Sequence, residues 1–397
     1  MASESSKTSI ESSPPEIIVQ YFAKITDFAT LDSFSKSTPR VREVFKAHES
    51  QICKSFITRT IEPELFPIFV KILTAQQESI GLQNAISAYK GAPGNIDLYI
   101  AYTECAVDFC EAHLAVEPVA QEGPKLHYTL ESIREVLGLR AAISNFANAF
   151  IQSIQGDLAL AQAGPITAKE TFWISKAFCI LELVRLVIPF RAPGGSQDLV
   201  FARFWRCFSP WEASQMLLMY RFLMDLTKTA CDIHAETNRV LDYVGLGQEP
   251  SDRARFVLNE GLVKLQPLHA GGRLTDDHAR VLKGYESMRY GTYREFIYFG
   301  YYKLWLCRPG DEASGVSYNM PDVIEKYKES DEDTGPRDAW FFGLFGLSSS
   351  LDFTFRRERM DNMSPGLLPT MEEMIEATRN IYMDSDGIDH RIGEESE

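Results

Sequence analysis

Apolar residues recur every three or four positions in one stretch of this chain after another, and no stretch of useful length alternates polar with apolar. The first spacing belongs to helices that each turn one face inward, whereas half-buried strands need a period of two. No Asn-Gly turn joins two alternating runs, so the usual short hairpin signal is missing as well. Nor does any period of about 20 to 50 residues repeat, as a solenoid would require. The expected fold class is all-α.

The most sharply punctuated segment is residues 13–57, which reads as three short helices in succession. Ser13-Pro14-Pro15-Glu16 offers a capping serine, prolines where a missing N–H costs nothing, and a glutamate in the first turn. Ile17, Ile18, Tyr21, Phe22 and Ile25 then form one apolar stripe. Asp27 is placed to cap a second helix carrying Phe28, Leu31 and Phe34. Thr38-Pro39 opens a third as cap plus first-position proline. Its inner face is Val41, Val44, Phe45, Ile52 and Phe56, with Arg40, Arg42, Lys46 and Glu49 outside.

These residues carry a resemblance. Pro-x-Glu-Ile-Ile over 14–18, Phe22, Ile25, Leu31, the run Ser37-Thr38-Pro39-Arg40-Val41, and Val44-Phe45 look like an F-box. The form is the one common in filamentous-fungal proteins. The likeness implies a three-helix module that docks a Skp-family linker subunit of a cullin-type ubiquitin ligase. Carried over by position, the implied partner-binding residues are Pro14, Glu16, Ile17, Ile18, Phe22, Ile25, Leu31, Val41 and Phe45. Ser13 stands where the family places an anchoring leucine. Residues 166–170, 177–179 and 208–215, and the aromatic–arginine segment Trp340 to Met360, resemble later landmarks of the same fungal family. There an F-box-like start is followed by one large helical region.

The expected organisation is a disordered lead-in over 1–12, an F-box-like three-helix module over 13–60, a large irregular helical domain over 61–383, and an acidic mobile tail over 384–397. Within the large domain, helical patterning runs from Leu65 to Ala88, from Ile96 to Val116 and from Thr129 to Ile154. Gly91-Ala92-Pro93-Gly94-Asn95 and the prolines at 118 and 124 mark breaks. Thr167-Ala168-Lys169-Glu170 reads as a capping box for an almost wholly apolar helix ending near Val187. Ser209-Pro210-Trp211-Glu212 starts another, continuing to Val244. Shorter helices are expected over 252–265, 275–289 and 290–306, and a last one from Thr370 to Tyr382.

Composition excludes several functions. A formal net charge of −15, with no clustered Lys or Arg, argues against nucleic-acid binding. The start lacks the apolar core of a signal peptide. Ala177 to Phe190 is interrupted by Glu182 and Arg185, and Met216 to Leu226 by Arg221 and Asp225, so neither spans a membrane. Seven cysteines without framework spacing fit a reducing, intracellular compartment.

No catalytic, metal or cofactor site is expected, and the chain does not read as an enzyme. Cys105 and Cys110 diverge around a helix, and Cys110 with His113 supplies too few ligands for zinc. Cys231 and His234 share a face but lack a third group. Gly245-Leu246-Gly247 reads as a helix stop. Asp276-Asp277-His278 reads either as a base with an orienting acid or, with Thr275, as a helix start. The aromatic groups Phe201 to Trp211 and Trp340 to Phe345 read as core unless exposed as a patch. Two functional readings remain open: a ligase receptor that docks the linker through its first helices while the helical body holds a substrate protein, and a degenerate module merged into a helical scaffold. Burial of Ile17, Ile18, Tyr21 and Phe22 separates them.

Overall fold

A computed structural model describes residues 10–77, 80–91, 95–114, 126–155, 166–188, 200, 203–205, 207–237, 254, 257–271, 274–278 and 280. Among these, all regular structure is helical, as the periodicity requires. The segments expected over 290–306 and 370–382, the Trp340 to Met360 landmark and the acidic tail lie outside the described residues.

The chain enters through a single 3-10 turn, Ile10–Ser12, and forms α1 (Pro15–Lys24), α2 (Phe28–Ser35) and α3 (Pro39–Thr60). Pro14 occupies the cap position of α1 with extended backbone, so Ser13 does not cap the helix as the sequence suggested. The other two starts form as expected. The Asp27 carboxylate accepts from Thr30 N–H at 2.8 Å, and the Thr38 hydroxyl accepts from Val41 N–H at 3.3 Å. Each such cap satisfies a backbone donor that the helix cannot, a contribution of about 1 kcal/mol. α3 bends at His48, whose φ of −123° and ψ of 15° leave the helical range.

The patterned run Leu65 to Ala88 is not one helix. It forms α4 (Phe66–Gln77) and α5 (Ile80–Gly91), which serve different neighbours. α4 packs against α8 (Ala168–Val187), whereas α5 pairs with α6 (Ile96–Phe109), so their apolar faces need not align. Asn95 caps α6 by accepting from Asp97 and Leu98 N–H, and a π-helical turn, Cys110–Leu114, follows it. α7 (Leu130–Gln155), α9 (Pro210–Thr237) and α10 (Leu262–Gly271) complete the described helices.

α8 lies at the centre. Thirteen consecutive or nearly consecutive positions from Trp173 to Val187 are buried, because α4, α7 and α9 all pack on it. A helix apolar all round requires this many neighbours. Its capping box closes in both directions, Thr167 N–H to Glu170 Oε2 at 2.6 Å and Glu170 N–H to Thr167 Oγ1 at 3.1 Å. Tyr102 donates from α6 to the Val187 carbonyl at 2.9 Å, satisfying the far end. Ser209 and Glu212 form the matching reciprocal start for α9. Within the core the Trp205 ring meets Phe204 and Phe208 edge-on, and Phe204 and Phe208 pack tilted against each other.

The two charges that interrupt α8 face one another. Arg185 donates to Glu182 Oε1 through both Nε, at 2.9 Å, and Nη2. Glu182 is only 5% exposed. Its second oxygen accepts from Leu262 N–H at 3.3 Å and so caps α10 from outside. Burial alone would lower the Arg185 pKa, but the adjacent Glu182 carboxylate outweighs it and the value rises. Gly261 precedes α10 at φ 91°, and a Cβ there would lie 2.8 Å from Arg185 Nε. This left-handed residue starts a new helix where the sequence suggested continuous helix over 252–265.

Candidate partner-docking face

The sequence stripe of α1 is wider than the surface that covers it. At about 100° per residue, Ile17 and Tyr21 point some 40° apart, with Ile25, Ile18 and Phe22 further round the helix. α1 packs on α3 along the Ile18–Phe22 side. Ile18 and Phe22 are fully buried, and the Phe22 ring sits 4.8 Å from Phe34 and 5.3 Å from Phe45. Ile17 is 39% exposed and Tyr21 49%. Ile25 falls between, half-buried at the edge.

The nine residues carried over by likeness therefore divide. Pro14, Glu16 and Ile17 are exposed, and Ile25 borders them. Ile18, Phe22, Leu31, Val41 and Phe45 are core residues of the trio itself, at most 5% exposed. In this conformation those five hold the helices together and do not present side chains to a partner. Tyr21 belongs to the exposed row, although the positional likeness did not select it; the signal for it was its place in the stripe, four residues after Ile17. Arg59 donates to the Ala23 carbonyl and ties the end of α3 to the end of α1.

The trio is fastened to the rest of the protein on other sides, through α2 and α3 against α7. Glu49 Oε1 accepts from Leu130 N–H at 3.4 Å, and Ser50 Oγ accepts from Tyr128 N–H at 3.2 Å. Glu49 thus faces the positive end of α7, not open solvent as α3 alone implied. Glu62 takes a forked bond from Arg140, at 3.2 Å from Nε and 2.5 Å from Nη2. The hydrogen bond from Arg140 holds the Glu62 carboxyl below its ordinary pKa. The Arg134 guanidinium lies 5.6 Å above the Phe28 ring.

The candidate chemical groups lie apart from this face. Cys110 and Cys231 are buried and Cys105 is half-buried. Burial pushes the Cys53 thiol up to about 12. Among the described residues no group of three His, Cys, Asp or Glu side chains is placed to hold a metal ion. The side chains of Asp232 and His234 lie outside the described residues, as does the Gly245–Gly247 motif. No helix among the described residues is long and apolar enough to cross a membrane.

Of the two readings of Asp276-Asp277-His278, the helix start is the one formed. His278 N–H donates to Thr275 Oγ1 at 3.3 Å, and Nδ1 accepts from Thr275 N–H at 3.3 Å. The imidazole fills the role that glutamate plays in a capping box. Burial lowers its pKa below the ordinary 6.5. Because the folded value lies below the unfolded one, the neutral ring contributes fully above that pH. As pH falls through 6.5 the unfolded chain binds a proton that the folded chain resists, and the contribution is lost. Thermal midpoints are expected to fall between pH 7.5 and 5.5 (about one unit either side of the reference value). In His278→Gln, which keeps an acceptor without titrating, that fall should be smaller; an equal fall would contradict this role.

No family model matches the chain, and neither a curated protein nor a solved structure matches it.

Proposed function

We propose that the N-terminal trio docks a Skp-family linker subunit, and that the helical body serves as the receptor part of a cullin-type ubiquitin ligase. The observation that carries this reading is the exposed pair Ile17 and Tyr21, side by side on a helix whose other apolar row is already buried. Large apolar groups one turn apart suit the partial covering of a helix by a partner, each contributing about 1.5–3 kcal/mol when fully removed from water. The F-box-like order of residues 14–45 supplies the identity of that partner. The decisive experiment is titration of the intact protein with the linker: saturable one-to-one association supports the reading, and its absence overturns it.

A second reading has its own support. Ser13 replaces the family's anchoring leucine, and the trio is joined through Glu49 to the start of α7 and through Ser50 to Tyr128 just before it, with the Arg140–Glu62 pair just beyond α3. On that reading the three helices are simply the first layer of a scaffold protein, and the linker does not bind.

A further inference from the structure

Two cysteines far apart in sequence meet where the end of α6 faces the segment before α9. Cys110 opens the π-helical turn after α6, and Cys207 lies in a turn closed by its own N–H to the Phe204 carbonyl, just ahead of the Ser209 cap. Cys207 Sγ is 3.2 Å from the Arg203 carbonyl oxygen and 3.9 Å from that of Cys110, across 97 residues. A carbonyl oxygen stands about 2.4 Å from its own Cα, so Cys207 Sγ is at most about 6.3 Å from the Cα of Cys110. That separation is of the order a disulfide spans, since bridged Cα atoms stand about 4.4–6.8 Å apart.

The surroundings of the two thiols differ. Cys110 is fully buried, and burial pushes its thiol well up, so it stays protonated. Cys207 is half-buried, and the Lys71 ammonium lies near it, donating to the Leu114 carbonyl at 3.2 Å at the far end of the same π-helical turn. Burial lowers the Lys71 pKa, and negative charge on Cys207 acts against that; by the same attraction Lys71 favours such charge on the sulfur. Glu212 and Lys176, also near Lys71, pair with each other at 2.6 Å. Cys105 is half-buried too, but burial and then Asp108 and Glu104 push its thiol up. Reactive cysteines occupy electropositive, partly exposed places, and redox-sensing ones stand beside a second thiol. We propose that Cys207 is a peroxide-oxidised thiol and that Cys110 closes it into a disulfide tying the end of α6 to the segment before α9. The Cys207 sulfur attacks one oxygen of hydrogen peroxide, the O–O bond breaks, and the departing hydroxide leaves as water with the thiol proton. The Cys110 sulfur then attacks the sulfenic sulfur. The S–S bond forms, the S–O bond breaks, and the hydroxide takes the Cys110 proton as a second water. Contact with Cys207 makes this step intramolecular, which offsets the weak nucleophilicity of a protonated thiol. The proposal is independent of the ligase reading.

The test treats the full chain with hydrogen peroxide, alkylates the remaining thiols after denaturation, and maps peptides by mass spectrometry without reduction. Wild type should give a linked Cys110–Cys207 peptide that disappears on reduction. Cys207→Ser should lose it and leave Cys110 alkylated. Cys110→Ala should accumulate sulfenic acid at Cys207, trapped with dimedone, and far less at Cys105. Lys71→Met should slow formation of the linked peptide about threefold, a tenfold loss of thiolate being partly offset by higher nucleophilicity. No linked peptide in wild type, a disulfide joining Cys207 to another cysteine, or oxidation of Cys105 ahead of Cys207 would each overturn the proposal. An unchanged rate in Lys71→Met would overturn the part assigned to that ammonium.

Discussion

Phe22→Ala is expected to destabilise the N-terminal trio by about 3–5 kcal/mol, the usual cost of removing a large buried aromatic side chain. Phe22 is fully buried and touches rings from both following helices, Phe34 of α2 and Phe45 of α3. It is the side chain through which α1 reaches the other two. Its loss leaves Ile18 as the fully buried apolar contact of α1. The expected result in denaturant is an early transition for the trio, read by proteolysis of residues 15–24, with linker binding weakened in parallel. A Tyr21→Ala control, at a position already half exposed, should change stability little. Equal losses in the two variants would show that the outward and inward rows of α1 have been assigned incorrectly.

Glu182→Ala is expected to cost about 1–3 kcal/mol, since a charge-assisted pair is lost and two donors, the half-buried Arg185 guanidinium and the buried Leu262 N–H, are left without their acceptor. Arg185 loses its carboxylate and Leu262 loses the group that satisfies its N–H. One substitution therefore weakens α8 and the start of α10 together. Replacing both charges, Glu182→Leu with Arg185→Met, should recover most of the loss, because no uncompensated charge remains. Urea denaturation of the single and double variants separates the two contributions. If the double variant is as unstable as the single one, capping of α10 and not charge burial dominates the site.

The starts of the helices were readable because their chemistry is local. Asp27, Thr38, Thr167 with Glu170, and Ser209 with Glu212 each act within three residues, and each cap forms as its residues specify. Ser13 fails for an equally local reason: two consecutive prolines move the helix start one residue on, and Pro14 takes the cap position. The docking face was only half readable. A stripe of five apolar residues reveals that α1 is amphipathic, but the width of the covering surface depends on α3. That surface stops between Ile25 and Ile17. The fastening of the trio to α7 was not readable at all. Glu49 meets Leu130, and Glu62 meets Arg140, across 81 and 78 residues of sequence. Nothing in a single sequence pairs charges over such distances.

Acid should act on the same junctions. The Lys176 ammonium, 2.6 Å away, and the Ser209 donors hold Glu212 below its ordinary pKa against the opposing effect of burial. Arg140 does so for Glu62. Both contributions are present above the ordinary carboxylate value of 4.5 and decline as pH falls beneath it.

Docking through the exposed row of α1 is tested most directly by titrating the Skp-family linker against wild type and against Ile17→Asp/Tyr21→Asp, with thermal midpoints measured alongside. Wild type should bind saturably. The double variant, altered only at side chains that already face solvent, should melt at nearly the same temperature yet bind at least about tenfold more weakly, a loss of ~1.4 kcal/mol or more. No association with wild type, or equal affinity for the two proteins, would contradict it.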